Sequence, residues 1–287
     1  MQLFVAIVQN HSFSGAAKQL KVAATKASKD IKYLEKSLDC KLLNRSTRSI
    51  NVTDVGEMYY NSAVEILEMH SQMIDNIKMT KNTICGELRI SAPELWGEMV
   101  LAPVIINYKK QNPDVKFIVD LNNKNVDIYE DNIHIAFRST NLTNEPYYSK
   151  YIIADEIILC ASHEFISKNL PISLPEDLNN HSFIGLIQKH SHLDQINFIH
   201  NGAKITQRVK GELLFSNKHI IYNAIKAGLG IAVLPKYLVA KDLESGSLTE
   251  VLPDYKIKGS KFYALYTQRR KDSSLINHFI DYVCEHV

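Results

Sequence analysis

From Asp54 to about Lys81 the chain has no glycine beyond Gly56 and no proline. A stretch that long without either breaker predicts one long helix, with Asp54 in position to cap it. Along it Tyr59, Ala63, Ile66, His70, Met73 and Ile77 recur at alternating spacings of four and three, and Leu67 and Ile74 widen the stripe. That is a heptad-like seam, which either packs on its own domain or pairs with another helix. Either way the helix separates a short head from a long body.

The head is basic. Residues 1–53 carry nine Lys and Arg against Asp30, Glu35 and Asp39, whereas the rest has 24 basic and 28 acidic residues. The near-neutral total therefore hides a head with six excess positive charges. Such asymmetry points to a polyanion, because cations that neutralise phosphates release condensed counterions and gain affinity.

Spacing in the head places that charge. Gln2–Gln9 reads as a short helix, Ser12 or Ser14 caps a second around Ala16, Ala17 and Leu20, and a third covers 24–38. In the third, Ala27, Ile31, Leu34 and Leu38 form one apolar stripe. Thr25, Lys29, Lys32 and Lys36 lie opposite it, flanked by Lys26 and Ser28. A cationic outer face is an ordinary solvated surface when taken alone. After two short helices and before "KLLNRSTRSINVT", which reads as a β-hairpin, it is the third helix of a winged helix-turn-helix, suited to a major groove. Since DNA-reading domains commonly bind paired half-sites, the seam of 54–81 is read as a pairing surface, with His70 as packing rather than a metal ligand.

The 287-residue chain is 45 % hydrophobic and 22 % charged, enough for two or three packed units and too apolar for disorder. No apolar run is long enough to span a membrane and "MQLFVAIVQNHS" is not a signal peptide, so a cytoplasmic protein is expected. Cys40, Cys85, Cys160 and Cys284 are far apart and read as free thiols.

In the body, strand patterns ("ELRISA", "VKFIVDL", "IHIAFR", "IIADEIILCAS", "SFIGLI", "KGELLFS", "IAVL", "KFYALYTQ") alternate with helix patterns. "NVDIYED" reads as one short helix among them. The alternation predicts parallel α/β sheets, most economically in two lobes with a ligand crevice between them. Gly228-Leu229-Gly230 follows a helix and precedes a strand, which is the order of a helix C-cap and not of a phosphate loop. The histidines at 181, 190, 192, 200 and 219 lack metal-ligand spacing, and no catalytic constellation stands out.

Several separated motifs carry a family resemblance: "FSGAAKQLKVAATKASKDIKYLEKSLDCKLLNRSTRSINVTDVGEMYY", "GELRISAPELWGEMVLAPVI", "AIKAGLGIAVLPKYLVAKDLESGSLTEVLPDY" and "FYALYTQRR". In their order the chain resembles the LysR-type transcriptional regulators over nearly its whole length, and the subgroup with "LNRTTRS" and "RVSAP" in particular. The resemblance implies a winged helix-turn-helix over 1–53, a dimerising linker helix over 54–84 and an effector domain over 85–287 that resembles periplasmic binding proteins. Lobe I would take about 86–158 and 266–287, and lobe II about 159–265. It also implies a few residues before "LFVAIV", so that the first helix is expected to be clipped. Ala23 replaces the usual cap of the recognition helix, Thr25 a frequent proline, and Lys21 a common turn glycine.

For DNA, Thr25, Lys26, Ser28, Lys29 and Lys32 are assigned to the major groove, Lys36 to phosphate, and Arg45 and Arg48 on the wing to phosphate or the minor groove. For the effector, the resemblance implies a cleft lined by Ser91, Pro93 and Trp96 after "RIS" and by Ser216 and Asn217 after "LFS", with Arg138 supplying charge. Hydroxyls and helix N-termini there favour a small carboxylate or other anion. Ser216 and Asn217 read equally well as helix caps, and Trp96 as core. The partners implied are double-stranded DNA, an unidentified small-molecule effector, further copies of the chain in a homodimer or homotetramer, and RNA polymerase. No enzyme activity, cofactor or metal is expected. Two other readings stay open: a small-molecule binding protein, which leaves the basic head unused, and a redox sensor, which needs a reactive pair such as Cys160 and Cys284.

Overall fold

The computed structural model describes residues 1–45, 50–79, 84–124, 127–128, 131–139, 147–188, 191–192, 195–267 and 273–287. It divides into two compact units, Met1–Cys85 with Arg269–Leu275, and Gly86–Gln268 with Ile276–Val287.

The first unit holds α1 (Gln2–Asn10), α2 (Phe13–Gln19), α3 (Ala24–Ser37), the strands β1 (Leu43–Arg45) and β2 (Ile50–Val52), and α4 (Asp54–Met79). Ser12 caps α2, its Oγ accepting the Gly15 N–H at 3.2 Å. The turn into α3 passes through Lys21 at φ 54°, a left-handed conformation that glycine adopts without strain. Phe4, Ala6, Ile7, Ala16, Ile31, Leu42 and Leu43 form the core, and Tyr59 and Tyr60 of α4 pack against it. Leu38, expected in the buried stripe, is exposed, because α3 ends at Ser37 and Leu38 is its C-cap. β1 and β2 pair as the expected antiparallel hairpin. The cap of α4 is Thr53 rather than Asp54: its Oγ1 accepts the Gly56 N–H at 2.9 Å and donates to the Lys41 carbonyl at 2.7 Å. A Cβ on Gly56 would stand 2.2 Å from the Leu42 carbonyl oxygen, so only glycine lets α4 approach the hairpin this closely.

The second unit begins with β3 (Gly86–Ala92), α5 (Glu94–Trp96), a π-turn (Gly97–Leu101), α6 (Ala102–Gln111), β4 (Val115–Leu121), β5 (Ile135–Ser139) and β6 (Tyr148–Ala154). The π-turn lies just before Pro103, which has no N–H to return to the preceding turn, and Ala102 N–H bonds instead to the Gly97 carbonyl. The chain then builds a second sheet. It runs through β7 (Ile157–Ser162), α7 (His163–Lys168), a 3-10 turn (Pro175–Asn180), β8 (Phe183–Gln188), β9 (Ser191–His192), β10 (Gln195–His200), β11 (Ala203–Arg208) and β12 (Gly211–Phe215). After these come α8 (Lys218–Lys226), β13 (Ile231–Pro235), α9 (Lys236–Ser245), β14 (Leu248–Glu250) and β15 (Lys256–Ile257). The chain returns to the first sheet with β16 (Lys261–Tyr266) and ends in α10 (Ser274–His286).

The first sheet has the order β4-β3-β5-β16-β6, and the second β11-β10-β15-β7-β13-β8-β12, with β14 on β7 and β9 on β8. Neither is wholly parallel, as strand-helix alternation had suggested. β3 runs parallel to β4 and β5, but β16 runs antiparallel to β5 and β6, and β13 antiparallel to β7. The exchange of chain between sheets explains this: β6 leaves its sheet at the crossing by which β16 enters, so the two run oppositely.

The crossings fall at Asp155–Glu156 and Lys258–Ser260, a few residues from the expected lobe limits at 158–159 and 265–266. "IIADEIILCAS" is thus two strands of different sheets, parted at its adjacent carboxylates. Asp155 N–H donates to the Ser260 carbonyl at 2.7 Å, so the two crossings are bonded to each other. "NVDIYED" lies largely outside the described residues, among which Asp127 and Ile128 are not helical. The β10–β11 hairpin turns at Asn201-Gly202, both with positive φ, the Asn-Gly signal of a two-residue turn.

Candidate nucleic-acid interface and effector cleft

In α3, Ala27 and Ile31 are buried and Leu34 partly so, while Thr25, Lys26, Lys29, Lys32 and Lys36 are exposed and Ser28 is half-buried. None of these four lysines has an ion-pair partner among the described residues. Of the two acids on α3, Asp30 is exposed, whereas Glu35 is turned to structural use: its Oε1 accepts the N–H groups of Leu42 and Leu43 at 3.0 and 3.2 Å, tying α3 to the hairpin. The exposed part of α3 therefore keeps a net positive charge. Arg45 stands at the end of β1, its side chain outside the described residues, and Arg48 also lies outside them. Ala23 makes no side-chain cap for α3, so the helix start relies on backbone bonds alone.

The seam of α4 is shorter than its periodicity suggested. Tyr59 sits edge-on to Phe4 with ring centroids 5.3 Å apart and serves the head's own packing, and Ala63 is buried. Ile66, Met69, Met73 and Ile77 are each more than half exposed, and with exposed His70 they form one apolar stripe on the distal half of the helix.

In the second unit, Ser91 and Arg138 come together. Ser91 is fully buried at the end of β3 and its Oγ accepts from Arg138 Nη2 at 2.7 Å. Arg138 Nη1 donates to the Phe137 carbonyl at 2.8 Å. Burial pulls the Arg138 guanidinium below its ordinary range, and Asp120 opposes that shift. Trp96 does not reach the cleft: it is buried in the first lobe, stacked 4.7 Å from Phe262 and tilted on Phe137, because a ring that size is worth most in the core. Pro93 precedes α5 as its N-cap.

Across the crevice, Ser216 is exposed and Asn217 is a helix cap, its Oδ1 accepting the N–H groups of His219 and Ile220 at 2.8 and 3.3 Å. Those donors are therefore already satisfied, and the bare helix terminus expected for an anion is not offered. The next residues instead carry the charge. His219 Nε2 lies 3.3 Å from Glu98 Oε2, a contact between the two lobes. Lys218 is half-buried, and burial holds its amine below the usual lysine range while Asp155 at the crossing opposes the shift. Sequence reasoning missed Lys218 and Asp155 because one looks like a surface lysine after a cap and the other like part of a strand. A separate cavity of about 590 Å³ lies along the β10–β11 hairpin, lined by Asn197, Ile199, Thr206 and Val233 among others, and includes none of the expected cleft residues.

Cys160 is fully buried in the second lobe and burial pushes its thiol up to about 12, whereas Cys284 is on α10 with its Sγ against the Tyr151 carbonyl at 3.8 Å. A thiol held protonated this strongly is a poor redox nucleophile.

The pattern of these elements has known counterparts. The family model described as "LysR substrate binding domain" matches residues 81–287, and "Bacterial regulatory helix-turn-helix protein, lysR family" matches residues 1–57. The chain belongs to the LysR family. It is a DNA-binding transcriptional regulator with an effector-binding domain. It is 30 % identical over 272 residues to an uncharacterized HTH-type transcriptional regulator of Haemophilus influenzae, covering 94 % of this chain and 93 % of that one. Among solved structures, the full-length Vibrio cholerae virulence activator AphB, a member of the LTTR family, superposes with a TM-score of 0.62 at 25 % identity over 99 % of this chain and 98 % of that one. CrgA, a LysR-type transcriptional regulator from Neisseria meningitidis, shares the fold with a TM-score of 0.63 at 24 % identity, covering 99 % of this chain and 96 % of that one. These relatives are regulators, not enzymes. Among the described residues no helix is long and apolar enough to cross a membrane, and no cluster of His, Cys, Asp and Glu is arranged to hold a metal.

Proposed function

We propose that α3 docks in the major groove of operator DNA and that a small anionic effector in the crevice of the second unit sets when it does so. The observation that carries the first half is the outer face of α3, four exposed lysines without ion-pair partners over a buried Ala27–Ile31 stripe. Thr25, Lys26, Ser28, Lys29 and Lys32 read base edges and nearby phosphates, Lys36 contacts phosphate, and Arg45 and Arg48 extend the contact from the wing. The exposed stripe Ile66–Ile77 pairs two copies, so that two α3 helices address two half-sites. RNA polymerase is a further partner in this reading, and the cytoplasm its compartment.

Support for an anion in the crevice comes from Arg138, desolvated and held by Ser91 at the end of β3. The redox alternative finds no support in the protonated, buried Cys160. A gel shift comparing wild type with Lys29→Ala and Arg48→Ala tests the DNA half. Both variants should bind operator more weakly while the circular dichroism of the protein stays the same; unchanged affinity in both would remove α3 and the wing from the interface.

A further inference from the structure

We infer that the effector carries two anionic groups, one facing Arg138 on the first lobe and the other facing Lys218 on the second. This rests on the reading of the crevice as an anion site and names the class of ligand it takes.

Both cations stand where the sheets exchange chain. Arg138 is paired across the sheet with Tyr263, two residues after β16 enters from the crossing. Lys218 opens α8, which follows β12; β12 runs parallel to β8, as does β13, whose terminal Pro235 pairs with Ile157 just after the other crossing. The crevice ends of the two lobes meet there, as the Glu98–His219 contact at 3.3 Å, next in sequence to Lys218, shows directly.

Among the described residues neither cation has an ion-pair partner within 4.0 Å, although Asp120 acts on Arg138 and Asp155 on Lys218 from further away. Among the described residues Arg138 donates to neutral oxygens, those of Ser91, Phe137 and Lys124. Lys218 is half-buried, yet among the described residues its ammonium has no hydrogen-bond acceptor and no carboxylate within 4.0 Å. Its closest opposing group is Asp155, whose carboxyl burial pushes up to about 6 and whose Oδ1 is buried without a hydrogen-bond partner. Glu98 is engaged by His219. A half-buried ammonium without a protein acceptor gains from an anionic ligand that supplies one. One ligand carboxylate would satisfy one wall only, while two satisfy both and bridge the lobes.

The test is calorimetric titration of the full-length protein with monocarboxylates and the dicarboxylates of the same skeleton, butyrate against succinate and benzoate against phthalate. At least one dicarboxylate should bind about tenfold or more tightly than its partner, the scale of one charge-assisted hydrogen bond. Lys218→Met should bring the two within about twofold of each other, and Lys218→Arg should keep the preference. Monocarboxylates binding as tightly as dicarboxylates, or a preference that survives in Lys218→Met, would overturn the two-anion inference and leave the anion site standing. No binding of any carboxylate, by protein that still binds operator DNA, would remove the anion site and the inference with it.

Discussion

At the scale of single residues, the decisive features are charges placed where their solvation is poor. The Asp155 carboxyl is pushed up to about 6 from the ordinary 3.8 by burial. Between about pH 4 and 6 the folded chain therefore holds a proton that the unfolded chain has released. Its contribution to stability is full below about pH 4 and is lost as pH rises through 6. Asp155→Asn should remove that loss, so the variant's melting temperature, relative to wild type, should rise across this window; parallel pH profiles would refute the burial of a charge at the crossing. Gly259 makes a second prediction. A Cβ there would stand 1.7 Å from the Asp155 carbonyl oxygen, so Gly259→Ala should destabilise the second unit by more than about 1 kcal/mol in chemical denaturation. Side-chain roles were the least legible feature in the sequence. Trp96 had a plausible assignment from its neighbours in sequence and Lys218 had none, because what decides their surroundings comes from residues far along the chain, the stacked Phe262 for one and the charge of Asp155 for the other.

At the scale of elements, legibility followed periodicity. α3 and its buried Ala27–Ile31 face were readable because a helix leaves an imprint every third or fourth residue, and the β1–β2 hairpin because it alternates. The break inside "IIADEIILCAS" was hidden because both halves are apolar as strands are, and only their pairing into different sheets separates them. The β10–β11 hairpin did leave a signal, Asn201-Gly202, which the helix-strand rhythm overrides. Ala23 lacks a side-chain cap, so Ala23→Ser should stabilise the head by roughly 0.5–1 kcal/mol, read by thermal denaturation; no gain would mean that the backbone start of α3 needs no further acceptor. In α4, Tyr59 packs on the head, Ala63 is buried, and the distal stripe from Ile66 to Met73 is exposed. Met73→Glu should therefore yield monomers in analytical ultracentrifugation with the head still folded, whereas dimers at unchanged affinity would place the pairing surface elsewhere.

At the scale of the whole molecule, the sequence already contained the division of labour: a basic head, a long helix without breakers, and an acidic α/β body. The mixed direction of the strands was beyond it, since direction follows from where the chain crosses between sheets, which is a property of topology and not of local pattern. The lysines of α3 are exposed charge concentrated on one helix, and their use is the central claim. The most direct measurement is the affinity of the purified full-length protein for its own upstream DNA and for a scrambled duplex, over a range of salt. Specific binding whose logarithm falls linearly with the logarithm of salt, with a slope reduced by about one in Lys29→Ala, is the predicted result. Binding that is independent of salt, or equal on both duplexes at every salt concentration, would contradict it.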